Sequence, residues 1–106
     1  MSLLAQAPEL AGVFIKDINK AKKILEEFLW KNDAYKDEDI KNYTIHIHGL
    51  KSILANVGET ELRDAALKLE QAGHKKDIDV ILTGTPDLLN NLQGVIKKLE
   101  DFNAKM

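Results

Sequence analysis

The chain has 106 residues, 44% hydrophobic and 30% charged, a balance that suits one soluble globular domain with a single core and excludes a disordered or fibrous chain. Its formal net charge is -2, Arg63 is the sole arginine, and the lysines are not gathered into a stripe, so a nucleic-acid partner is not expected. The absence of cysteine removes disulfides, thiolate metal sites and a cysteine nucleophile. No apolar run reaches the roughly 18–20 residues of a membrane span and no leader pattern is visible, so a cytoplasmic protein without membrane contact is expected.

Apolar spacing is helical nearly throughout. A short extra helix is expected at Leu3 to Leu10, where Pro8 fits a first turn. From about Gly12 to Trp30, Phe14, Ile18, Ala21, Leu25 and Phe28 recur at steps of three and four, with Ile15, Ile24 and Leu29 widening the stripe. The polar segment Lys31 to Asp37 reads as a turn, after which Asp37 or Asp39 is placed to accept from the free amides of the next helix. That helix carries Ile40, Tyr43, Ile47, Leu50, Leu54 and Val57 as an uninterrupted seam. Gly58 should end it in a left-handed conformation, and Thr60 should cap the helix that follows.

A third helix, about Glu61 to Ala72, presents Leu62, Ala65, Ala66 and Leu69, with Gly73 as its expected stop. The last segment begins at Asp77 and runs through Ile78, Ile81 and Leu82 to Leu88, Leu89, Leu92, Val95, Ile96, Leu99 and Phe102. Pro86 removes an amide donor there, so a kink or a break is expected near Gly84 to Pro86. Asp77 and Asp79 read as helix-start residues. No segment alternates as a half-buried strand does. The predicted fold is therefore all-α, an antiparallel up-down-up-down four-helix bundle formed by one domain over residues 1–106.

The candidate site is on the second long helix. His48 shares a face with Ile45, Lys51, Ser52 and Ala55, beside the buried seam rather than within it, and should reach solvent. Gly49, Ser52 and Ala55 are small and leave room around the ring for another protein's side chain. Glycine inside a helix costs about 1 kcal/mol relative to alanine, which is consistent with access being needed at Gly49. A neutral imidazole is a competent nucleophile near neutral pH, and Lys51, one turn on, can offset the charge of a phosphoryl group carried by His48. With no base, metal-ligand cluster or oxyanion cradle in view, a partner would supply the metal ion and the positioning groups.

His48-x-Leu50-Lys51-Ser52 with Gly58, followed by Leu62, Ala66, Leu69, Glu70 and Gly73, resembles the histidine-containing phosphotransfer (HPt) domain of bacterial two-component phosphorelays. The similarity runs from about Tyr43 to Asp77. It implies that His48 accepts a phosphoryl group from a receiver-domain aspartate and passes it to another receiver, that Lys51 supports the phosphohistidine and that Gly58 shapes the helix end. It also implies a phosphocarrier without independent turnover, a monomer that binds no cofactor, takes Mg²⁺ from the receiver, and has response-regulator receivers and a hybrid sensor histidine kinase as partners. Ser52 replaces the glycine common in the family after the lysine, which bears on docking detail. Docking is expected at Ile45, Gly49, Ser52 and Ala55 and on the adjoining face of the first long helix, about Ile15 to Lys23.

Other readings stand beside this one. A non-catalytic helical adaptor would leave His48 an incidental surface residue. His46 and His48 suggest a metal pair, but side chains two apart on a helix point about 200° apart. His74 reads as a surface or C-terminal capping group, Trp30 and Tyr35 as packing residues at one end, and the Lys22-Lys23, Lys75-Lys76 and Lys97-Lys98 pairs as solvated faces.

Overall fold

The computed structural model describes residues 8–31 and 35–105. Among them are four α-helices and no strand: α1 (Ala11–Leu29), α2 (Asp37–Asn56), α3 (Thr60–Lys75) and α4 (Ile78–Ala104). The chain is an all-α four-helix bundle. Each helix packs against its neighbours in sequence, and α1 closes the ring on α4. A single 3-10 turn, Pro8–Leu10, leads into α1. The remainder of the expected Leu3 to Leu10 helix lies outside the described residues, as do positions 32–34 of the polar turn.

The stripes read from the sequence are the core. Phe14, Ile18, Ala21, Leu25 and Phe28 of α1 are buried, as are Ile40, Tyr43, Ile47, Leu50 and Leu54 of α2. They meet Ala66 and Leu69 of α3 and Ile81, Leu88, Leu92, Val95, Ile96 and Leu99 of α4. The Tyr43 hydroxyl and Thr85 Oγ1 lie 2.6 Å apart inside this core, and burial pushes the phenol up to about 12, against the opposing pull of the Thr85 hydrogen bond. Every buried side-chain nitrogen and oxygen among the described residues has a hydrogen-bond partner, as burial of polar groups requires.

Helix ends follow their local chemistry. Asp39 accepts the Lys36 amide at 3.0 Å, and this bond chiefly holds its carboxyl below the usual range. Gly58 adopts φ 81°. There the Glu59 amide bonds the Leu54 carbonyl at 2.9 Å and the Gly58 amide bonds the Ala55 carbonyl at 3.2 Å, the paired closure of a Schellman motif. Asp77 caps α4 by accepting from the Val80 amide.

Four expectations need correction. Gly73 does not stop α3: the helix continues to Lys75, and the left-handed residue is Lys76, φ 56°. The Asp77 amide reaches the Ala72 carbonyl and the Lys76 amide the Gly73 carbonyl, so a Schellman closure forms without glycine. Thr60 is the first residue of α3, not its cap; Glu59 holds that position without a side-chain bond. Of the kink or break expected near Pro86, the break does not occur: α4 runs unbroken across the proline. Pro86 is exposed while Thr85 and Leu88 are buried, so the proline faces away from the core and the stripe keeps the helix seated on either side. Trp30 is 71% exposed, since it falls two positions past Phe28 and so on the far side of the stripe. Tyr35, in contrast, stacks on Phe28 at 4.6 Å between ring centroids.

Candidate functional site

His48 projects from α2 with its side chain 65% exposed, and its Nδ1 lies 2.6 Å from Glu70 Oε2 on α3. Lys51, one turn further along α2, places Nζ 2.6 Å from the other oxygen, Glu70 Oε1. Glu70 itself is buried, 8% exposed. Burial works against its charged form, but the hydrogen bonds and positive charge from Lys51 and the contact with His48 outweigh that effect and hold the carboxyl below its ordinary 4.5. Glu70 is thus a carboxylate near neutral pH, and a carboxylate only accepts. The proton in the short contact must therefore sit on Nδ1, which leaves Nε2 of a neutral ring unprotonated and available as a nucleophile.

The arrangement brings together two residues singled out in the sequence, His48 and Lys51, and adds a third. Lys51 is half-buried, and its ammonium engages Glu70 rather than standing free beside the imidazole. Glu70 appeared in the sequence only as part of the family resemblance, with no role of its own. Its signal is a carboxylate among the stripe positions of α3, next to Leu69 and between Ala66 and Gly73, where an unpaired charge would be costly.

The surroundings are open and largely apolar. A groove of about 670 Å³ between α2 and α3 is lined by Ile40, Thr44, Ile45, His48, Gly73 and His74, among others. On the other side of α2, a depression of about 290 Å³ against α1 is bordered by Asp17, Lys20, Ala21, Ile45, Gly49 and Ile53. Ile45 is 57% exposed and borders both. Ser52 and Ala55 are exposed on the same helix but line neither. A Cβ built on Gly49 would meet nothing within 4 Å, so packing does not demand glycine there.

The other histidines are differently placed. The Nδ1 of His46 lies 2.9 Å from the Asn42 carbonyl oxygen, a bond to its own helix. His74 lies in the last turn of α3 rather than after it, with Nε2 4.0 Å from Glu70 Oε2. Among the described residues no group of three or more His, Asp or Glu side chains is arranged to hold a metal ion. None of their helices is long and apolar enough to cross a membrane. Comparison of the chain with protein-family models, curated proteins and solved structures finds no match.

Proposed function

We propose that this chain is a histidine phosphotransfer domain, in which His48 carries a phosphoryl group between receiver-domain aspartates of a two-component phosphorelay. One observation carries the reading: an exposed imidazole whose Nδ1 is bonded to a buried carboxylate, itself held by Lys51. The Nε2 lone pair attacks the phosphorus of an aspartyl phosphate, the bond from phosphorus to the carboxylate oxygen breaks, and the aspartate leaves as a free carboxylate. No proton has to leave Nε2. The positive charge that the ring acquires is balanced by Glu70, to which the Nδ1 proton points. Attack by a second receiver's aspartate on the phosphohistidine reverses these bond changes.

Lys51 serves twice in this scheme. It keeps Glu70 charged and oriented, and its ammonium offsets the phosphoryl oxygens from one turn away. The receiver brings Mg²⁺ and the groups that align the transfer, so the domain acts as a monomeric cytoplasmic carrier with no turnover of its own. Its partners are response-regulator receivers and a hybrid sensor histidine kinase. Receivers dock over Ile45 and Gly49, with Ser52 and Ala55 at the margin and Asp17, Lys20 and Ala21 of α1 completing the patch, an area suited to a transient encounter.

The test is transfer from a phosphorylated receiver with Mg²⁺, comparing wild type with His48→Gln. Wild type should acquire acid-labile, base-stable label and His48→Gln none. A wild-type chain that binds the receiver yet stays unlabelled would be an adaptor, and the proposal would be wrong.

A further inference from the structure

The contact between His48 and Glu70 joins two different helices, so its length depends on how closely α2 and α3 approach. One close approach between them has a definite location. A Cβ built on Gly73 would lie 2.1 Å from Thr44 Oγ1, 3.1 Å from Thr44 Cβ and 3.2 Å from Thr44 Cγ2. All three are tighter than ordinary van der Waals contact: an added methyl group would force the Thr44 hydroxyl to move, and the Thr44 Cβ, which no side-chain rotation displaces, would still press on it. The hydroxyl is also held in place, donating to the Ile40 carbonyl at 2.7 Å. Both residues are buried, and Gly73 has ordinary helical backbone, since Gly58 is the only glycine with positive φ among the described residues. Glycine is required at position 73 for space and not for conformation.

The register connects this crossing to the site. Thr44 lies one turn before His48 on α2, and Gly73 lies one turn after Glu70 on α3, so each pair shares a helix face. We infer that Gly73 is a positioning residue: the room it leaves for Thr44 sets the helix spacing at which Glu70 reaches Nδ1 of His48, and so fixes which imidazole nitrogen is nucleophilic. A side chain at position 73 pushes α3 outward, the carboxylate withdraws, and the ring loses the partner that selects its tautomer. The functional consequence rests on the phosphotransfer reading; the spacing itself does not.

The test follows the imidazole nitrogens by ¹⁵N NMR at a pH where the ring is neutral, in wild type, Gly73→Ala, Thr44→Ala and the double variant, with Leu92→Ala as a control destabilised away from the site. Wild type, Thr44→Ala and Leu92→Ala should show His48 protonated at Nδ1 alone. Gly73→Ala should show a mixture of tautomers and, in the transfer assay, acceptance slowed about tenfold. The double variant still brings two Cβ atoms within 3.1 Å, but removes the hydroxyl and methyl contacts, and should recover most of both properties. A folded Gly73→Ala that keeps the wild-type tautomer would overturn the inference. If Gly73→Ala does not fold, restoration of the fold and of the tautomer by Thr44→Ala supports it, and failure to restore them overturns it. A tautomer that responds as described in a chain that never takes label would retain the spacing argument and remove the phosphotransfer reading.

Discussion

Glu70 ties together the groups on which the site depends, and its burial beside two cationic or protonatable neighbours makes its contribution depend on pH. The carboxyl is held below its ordinary value in the folded chain, so the folded state takes up its proton later than the unfolded state as pH falls. The associated stability is therefore present above about 4.5 and is lost as pH drops through the folded value. The gap in urea-unfolding stability between wild type and Glu70→Gln should be widest near neutrality and close on acidification below pH 4.5. A gap that does not narrow at all on acidification below pH 4.5 would mean that the carboxylate's charge is not what holds His48 and Lys51. Tyr43 has the opposite sign. Its folded value is raised from 10 to about 12, so its contribution is intact below pH 10 and fades as pH rises toward 12. Tyr43→Phe should remove that alkaline component and, by leaving Thr85 Oγ1 without its partner, cost about 1–2 kcal/mol near neutrality. Denaturant curves for the two chains at pH 7 and 11 measure both effects.

At the scale of the helices, glycines and their substitutes separate three physical causes that look alike in a sequence. Gly49 has helical backbone and open space, so Gly49→Ala should raise stability by about 0.5–1 kcal/mol through helix propensity alone. Gly49→Leu would cover the approach to His48 and should slow transfer while leaving the fold intact, a separation that thermal unfolding and receiver labelling read independently. Gly58 sits at φ 81° with nothing near its absent Cβ, so Gly58→Ala should cost about 1 kcal/mol through backbone conformation only. Lys76 occupies the same kind of position at φ 56° without being glycine. Lys76→Gly should therefore stabilise the chain by about 1 kcal/mol, since the exposed ion pair it gives up with Asp37 contributes little. A sequence marks where a helix ought to end, and it did so at Gly58. At Gly73 the same rule misled, because a glycine kept for a neighbouring helix is indistinguishable in one dimension from a glycine kept for a turn.

On the scale of the whole molecule, the bundle was legible because all four stripes keep the helical period, and residues named from that period alone, such as Ile18, Tyr43, Leu54, Leu69 and Leu92, are buried. The exposure of His48 was legible for the same reason, as it flanks the seam at Ile47 and Leu50. Contacts between helices were not: neither the approach of Gly73 to Thr44 nor the reach of Glu70 to His48 leaves a periodic trace, since each depends on how two helices cross. Pro86 shows the same limit from the other side, a local break signal overridden by the packing of Ile81, Thr85, Leu88 and Leu92. Removing part of that packing with Leu92→Ala should lower stability by about 2–5 kcal/mol and leave the His48 tautomer unchanged, because the site is held by α2 and α3. The central claim is that Glu70 reserves Nδ1 and leaves Nε2 to react. It is tested most directly by locating the phosphoryl group on the ¹⁵N-labelled chain after transfer from a phosphorylated receiver, through ³¹P–¹⁵N coupling. The account predicts a single product on Nε2 of His48; phosphorylation at Nδ1, at His46 or at His74 would contradict it.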